Sequence, residues 1–315
     1  MSQQQVLVVG EALVDVIARP GRPADELPGG SPANVALALA RLGHQATLLT
    51  HLATDPYGKL VLEWLGDSGV TVHPASFTAE RTSVARATLD ATGAATYDFD
   101  LTWQLPETQL HYPAALHIGS ISATLLPGGE RVLDIATTAP PATLISYDPN
   151  MRPALIPAAD KPRTAAQVEA LVARAHLIKV SDEDVEWLYP DRDPRDVVRQ
   201  WARAAGGPKL VLLSLGAAGV EAYYGAEPVL TTPAPKVAAM DTVAAGDTLM
   251  ASAIDAVLLI AARRTGGDAV AALGSLSVQE IAEITRRGTT AAAITVSRAG
   301  ANPPWQEELA AALQG

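Results

Sequence analysis

Seven short apolar runs rich in β-branched residues, at 6–9, 46–52, 116–121, 144–147, 177–180, 210–215 and 292–296, are separated by Ala-rich stretches with helical spacing. Parallel strands need crossover connections, usually helices, so this alternation predicts an α/β protein with a mainly parallel central sheet covered on both faces. The first helix has a legible start and stop. Ser31 is expected as its N-cap with Pro32 in its first turn, Val35, Leu39 and Leu42 mark its apolar stripe, and Gly43 ends it.

One region breaks the rhythm. Polar and apolar residues alternate over 82–89, Ala91-Thr92-Gly93 reads as a turn, and the alternation resumes over 95–103. That is a hairpin, which cannot enter a parallel sheet as a central pair. The expectation is a small β-sheet lid projecting from the main sheet, formed by residues 13–20 and 80–104. No linker or low-complexity tract divides the chain, which predicts one domain over 1–315.

Composition narrows the chemistry. The chain has no Cys, which removes disulfides, thiolate nucleophiles and Cys-ligated metals together. With 23 Lys+Arg against 34 Asp+Glu, its formal charge of −11 offers no overall positive field to nucleic acid or anionic lipid. The six His, at 44, 51, 73, 111, 117 and 176, form no helical metal-ligand pair. The longest apolar run, 249–262, is interrupted by Ser252 and Asp255 and falls short of the roughly 20 residues a bilayer span needs. The first residues lack the basic segment and apolar run of a signal peptide. A soluble cytoplasmic protein is expected, with small-molecule partners, no nucleic acid and no membrane.

The most informative stretch is Asp241-Thr242-Val243-Ala244-Ala245-Gly246-Asp247-Thr248, a small-residue turn running into an apolar helix. The first N–H groups of a helix lack internal partners and carry the positive end of its dipole, which makes an anion site. An acid beside such a site is out of place unless it accepts a proton from a nucleophile next to the anion, or merely caps the helix. A second stretch, Gly29-Gly30-Ser31-Pro32-Ala33-Asn34, offers backbone and amide contacts suited to hydroxyls, although a turn before a capped helix is the plainer reading.

The two stretches, with Val8-Val9-Gly10-Glu11 and Asp15, resemble the paired signatures of the ribokinase-like, or PfkB, carbohydrate kinases. They stand in that family's order, and Asp148-Pro149-Asn150-Met151-Arg152, Ser181-Asp182-Glu183-Asp184 and Ser214-Leu215-Gly216-Ala217-Ala218-Gly219 match landmarks between them. The resemblance implies a ribokinase-like three-layer α/β/α fold and transfer of the γ-phosphoryl group of ATP to a sugar hydroxyl. Asp247 would be the base, and the amides of Ala244, Ala245 and Gly246 the anion hole. Asp15, Gly29, Gly30 and Asn34 match sugar-contacting positions, with Tyr97 and Phe99 in the lid above. Ser181, Ser214, Gly216 and Gly219 match the nucleotide side. Mg²⁺ would be organised through water by Asp184, and K⁺ by the backbone oxygens of Asp241 and Val243. Separately from the resemblance, a homodimer through the lid would give an exposed apolar sheet face its cover.

Two departures carry consequences. Ala244 stands where the family commonly has Gly, harmless at negative φ and strained at positive φ. Ser181 and Asp184 replace an Asn-x-x-Glu, which shortens the acid's reach. Arg152 can clamp a phosphate or a substrate carboxylate. The lid, however, is acidic and aromatic with no Arg from 87 to 130, so a neutral sugar is expected, most like the conversion of D-fructose to fructose 6-phosphate. A 2-keto-3-deoxygluconate kinase, another sugar or nucleoside kinase, and a non-catalytic sugar sensor on the same fold stay open. A dinucleotide-dependent oxidoreductase lacks its Gly-x-Gly-x-x-Gly, and a Walker-type NTPase lacks its motif because Leu60 follows Gly58-Lys59. His117, at a strand end, reads as a hydrogen-bonded structural histidine.

Overall fold

Along the first strand, β1 (Gln5–Val9), Val6 and Val8 enter one apolar core while Leu7 and Val9 enter another. A strand buried on both faces needs helices above and below it. The computed structural model describes residues 3–89, 95–204, 209–225 and 227–314. After β1 come β2 (Leu13–Arg19), β3 (Arg22–Gly29), α1 (Ser31–Arg41), β4 (Gln45–Leu49), α2 (Pro56–Gly66), β5 (Thr71–Val72), β6 (Val84–Leu89) and β7 (Ala95–Asp100). Next are β8 (Ala115–Gly119), α3 (Gly128–Thr138), β9 (Leu144–Asp148), α4 (Lys161–Arg174), β10 (Leu177–Ser181), α5 (Asp182–Leu188) and α6 (Pro194–Ala202). The rest are β11 (Leu210–Ser214), β12 (Val220–Tyr224), β13 (Glu227–Thr232), α7 (Ala245–Arg264), α8 (Ala269–Leu273), α9 (Val278–Val296) and α10 (Gln306–Gln314).

The main sheet runs β13-β12-β11-β10-β9-β8-β1-β4-β5, parallel from β11 to β5 and antiparallel at the β12–β13 edge. One core joins Val6, Val8, Leu48 and Leu212 to Leu37 of α1, Ile254 of α7 and Ile284 of α9. The other joins Leu7, Ile118, Val180 and Leu213 to Ile135 of α3, Leu171 of α4 and Trp201 of α6. The expected three-layer α/β/α arrangement is therefore present. Helix α7 alone among the described residues is long and apolar enough to cross a membrane, and most of it is buried against α1 and α9.

The expected hairpin forms a second sheet, ordered β3-β2-β6-β7, with β6 antiparallel to β7 and parallel to β2. Its predicted turn at Ala91-Thr92-Gly93 lies outside the described residues. Strand β3 was not anticipated: Arg22–Gly29 contains Pro23 and Pro28 and does not alternate, which an edge strand tolerates because one row of its N–H groups is unpaired. The run at 292–296 is a correction, being the last turns of α9 and not a strand. The Ala-rich sequence there continues a helix begun by a full capping box at Ser277 and Glu280, and three β-branched residues do not outweigh that start. Ser31 is a second correction. Gly30 is the N-cap of α1, and the Ser31 side chain makes no capping bond because it is used elsewhere. Gly43, at φ +94°, ends α1 as expected.

His117 of β8 is fully buried, and its Nδ1 meets Ser146 Oγ at 3.1 Å. Burial, assisted by the charge of Lys179, pushes its pKa down to about 3. In the unfolded chain it titrates at the ordinary 6.5, so acidification protonates the unfolded state first and stability falls as pH drops from 6.5 towards 3. Urea unfolding at pH 7 and pH 5 is expected to show a loss of which His117→Gln removes about 2 kcal/mol.

Candidate active site

The carboxyl ends of the parallel strands share one edge of the sheet, the edge where α/β folds place their ligands. Asp148 ends β9, while Ser181 and Ser214 end β10 and β11 as register partners. Facing them are the amino ends of α1 and α7. Asp247, third residue of α7, is only 5% exposed, and its carboxylate makes no capping bond to its own helix. It reaches α1 instead. Ser31 Oγ donates to Oδ1 at 2.7 Å, Asn34 Nδ2 donates to Oδ2 at 2.7 Å, and Asn150 Nδ2 approaches Oδ1 at 3.3 Å and Ser31 Oγ at 2.7 Å. The capping reading of Asp247 is thereby excluded, and both signature turns face one place.

Of the two glycines before α1, Gly30 is required by backbone, whereas at Gly29 an added side chain would push on Asp15. A Cβ at Gly30, φ +111°, would lie 2.5 Å from the Glu11 carbonyl oxygen, and a Cβ at Gly29 would lie 2.8 Å from Asp15 Oδ2. Asp15 sits on β2 opposite Ala85, which in turn pairs with Phe99, so Asp15 and Phe99 share a sheet face. Tyr97 pairs through its backbone with Ala87, but its side chain lies outside the described part of the structure. Burial raises the pKa of Asp15 against the opposing charge of Arg152, and raises that of Glu11 against hydrogen bonds from Ser120 and Ser122. Arg152 itself donates to the carbonyl oxygens of Asn150 and Met151 and to Asn150 Oδ1.

Beneath the start of α7 lies a buried ion pair absent from the sequence reading. Lys179 Nζ donates to Asp148 Oδ2 at 2.9 Å, and a Cβ placed on Gly246 would be 2.7 Å from that Nζ. Burial pushes the Asp148 pKa up to about 7 despite Lys179. The same burial works against the ammonium, but Asp148, Asp184 and Asp247 outweigh it and hold Lys179 above its ordinary range. Asp148 Oδ1 has no partner. Above the pair, the Ala245 N–H reaches the Thr242 carbonyl at 3.3 Å, while the amides of Ala244 and Gly246 have no acceptor among the described residues.

Ala244 has φ +61°, the strained alternative. A methyl in the left-handed region costs about 1 kcal/mol, so Ala244→Gly is expected to raise unfolding free energy by about that amount in urea titrations while keeping the turn.

On the nucleotide side, Ser214 Oγ reaches the Val180 carbonyl at 3.4 Å. Gly219, φ +106°, is required by the chain itself, since a Cβ there would lie 2.1 Å from the Thr232 carbonyl oxygen; Gly216, φ +52°, faces open space. Ser181 and Asp184 form a reciprocal capping box at α5, and Asp184 Oδ1 also accepts the Met151 N–H at 2.8 Å. Their structure thus shows a scaffolding role that the sequence did not reveal. Asp241 accepts the N–H groups of Val243 and Gly300, which hold its pKa below the ordinary range.

Sequence reasoning missed Ser31, Asn150 and Lys179 as members of this cluster. The first two stood within quoted motifs, and Lys179 had one signal, a lone charge in the apolar strand Leu-Ile-Lys-Val-Ser, where burial demands a partner.

The sequence profile of the pfkB family carbohydrate kinases matches residues 3–308. A fructokinase of Rhizobium leguminosarum bv. trifolii is 34% identical over 256 residues, 77% of this chain and 76% of that protein. Fructokinase-1 of Zea mays is 32% identical over 277 residues, 81% of this chain and 84% of that protein. The crystal structure of a fructokinase with bound ATP from Xylella fastidiosa superposes with a TM-score of 0.80 at 24% identity, covering 98% of each chain.

Proposed function

This chain belongs to the pfkB family of carbohydrate kinases and is a phosphotransferase acting on a sugar hydroxyl, and from that premise we propose that it phosphorylates D-fructose, with Asp247 as the base. The observation that carries the base is the 2.7 Å bond from Ser31 Oγ to Asp247: an alcohol O–H already donates to this carboxylate, in the geometry a sugar hydroxyl needs to lose its proton. Asn34 and Asn150 orient the acid through their side-chain amides. The unpartnered amides at the start of α7 face charge that grows on the transferred group, and Lys179 adds a buried cation below them. The second sheet, with Asp15 and Phe99, would cover the sugar and exclude water.

A magnesium–nucleotide fits the residues present. Asp148 Oδ1 is a buried acceptor in want of a partner, and an ion held mainly by phosphates asks for few protein ligands. Such an ion would neutralise phosphate charge. Asp184 would act on it only through water, Ser181, Ser214, Gly216 and Gly219 would line the nucleotide, and K⁺ would sit by Asp241 and the Val243 carbonyl.

The neutral-sugar reading rests on charge. Arg152 Nη1 is engaged by the carbonyls of Asn150 and Met151, and Asp15 and Glu11 lie in the field of its guanidinium, which leaves less of that charge for a substrate carboxylate. Pairing of two copies through the second sheet belongs to the same proposal, with Leu27 on its edge strand 49% exposed; sedimentation of a Leu27→Glu variant as the same species as the parent would end that part. An ADP-release assay across fructose, tagatose, ribose, adenosine and 2-keto-3-deoxygluconate tests the substrate. Fructose is expected to lead in kcat/KM by about tenfold or more. A higher value for 2-keto-3-deoxygluconate would overturn it.

A further inference from the structure

At the opposite edge of the main sheet, below the amino ends of β1, β4 and β5, lies a cavity of ≈ 550 Å³, within the size range of small-molecule sites. Its walls include three carboxamides, of Gln3, Gln5 and Gln45, and three imidazoles, of His44, His73 and His111, with no Asp, Glu, Lys or Arg among the lining residues. An anion would find no cation there, and a cation no carboxylate.

Most of these polar groups are exposed, and the protein itself engages few of them. Gln45 Nε2 reaches Gln3 Oε1 at 3.3 Å and Gln5 Nε2 reaches Gln45 Oε1 at 3.4 Å, a stretched row at the limit of hydrogen bonding. His73 Nδ1 accepts the Ala75 N–H at 3.2 Å, so Nε2 carries the ring proton and is a donor. His44 meets Asp255 through Nε2 at 2.9 Å, and its unpartnered Nδ1 is buried behind the wall, out of a ligand's reach. The wall therefore combines unspent donors and acceptors without net charge. A hydroxyl both donates and accepts, and a chain of them can answer a row of carboxamides without charge.

We infer that this cavity is a second binding site, for a small neutral polyhydroxylated molecule such as a hexitol or hexose. The assignment is independent of the acceptor phosphorylated at Asp247. The six imidazoles give a direct readout, because three line the cavity and His51, His117 and His176 do not. In proton–carbon correlation spectra of histidine-labelled protein, D-glucitol or D-glucose is expected to shift the His44, His73 and His111 resonances saturably, with a Kd of about 1–10 mM, leaving the other three in place. Thr71→Trp, on the wall at an exposed edge-strand position, should fill the space, and Gln45→Leu, at an exposed position, should remove the central amide. Gln45→Leu is expected to weaken binding about tenfold, the loss of a well-made polar contact, with sugar phosphorylation unchanged. Should Thr71→Trp not fold, Gln45→Leu decides alone. Absence of a saturable shift at the three histidines up to about 100 mM of either compound, or shifts of unchanged affinity in Gln45→Leu, overturns the inference.

Discussion

Asp247→Asn is expected to lower kcat about 10²–10⁴-fold while leaving the fold intact, the range lost with a positioned general base. The structure shows why the fold should survive. The new amide would set an N–H₂ against the Asn34 N–H₂, but Asn34 Oδ1 is buried and unpartnered, so rotating the Asn34 amide converts the clash into a hydrogen bond. Ser31 still donates to the remaining carbonyl oxygen. ATP affinity, carried by groups on other strands, should change by less than about threefold, under 1 kcal/mol. Steady-state kcat from ADP release, with circular dichroism and nucleotide titration as controls, measures each part. Near-native turnover in a folded Asp247→Asn protein would remove Asp247 from the mechanism.

Gly246→Val should fail for a different reason. The tip of a lysine normally yields to an added methyl, but Lys179 is 4% exposed and tied at 2.9 Å to an aspartate that is itself fully buried. Displacing Nζ from its position 2.7 Å from the incoming Cβ strands both charges in the interior. Breaking such a pair costs about 3–5 kcal/mol, and the fall in urea midpoint should reflect it. Turnover should drop below about a hundredth, since the amides proposed to hold the transferred phosphoryl group sit on that turn. A double-mutant cycle separates the causes: on a Lys179→Met background the valine's stability cost should shrink by more than about 1 kcal/mol. Retained activity in Gly246→Val would place the phosphoryl site elsewhere.

The parts of the site legible in the sequence were those with local signatures. Small residues before a helix suggest an anion site, and the resemblance of both turns to paired family signatures let Asp247, Gly246 and the Gly29–Gly30 turn be proposed without a fold. What an isolated motif cannot state is its partner. Asn34 matched a sugar position, yet in the structure its amide is bonded to Asp247, and Ser31 left its expected capping role for the same carboxylate. Lys179 was hidden because one base in a five-residue strand has no pattern, and its partner lies 31 residues away. The fold divides similarly. Parallel strands buried on both faces announce themselves as apolar runs, whereas β3 is an edge strand with two prolines and nothing periodic to detect. The stretch at 292–296 was misread because composition over five residues cannot outweigh a capping box nineteen residues upstream of its last residue.

Ser31 and Asp247 are 216 residues apart, and every other partner of the carboxylate also comes from outside α7. During synthesis the glycine turn leaves the ribosome long before the acid does. A nascent, truncated or partly unfolded chain therefore holds an unoriented carboxylate or none, and on the proposed mechanism would not squander nucleotide. With Asp247 as the proposed base, competence would arrive only when α1 and α7 have met, so turnover would double as a gauge of completed folding.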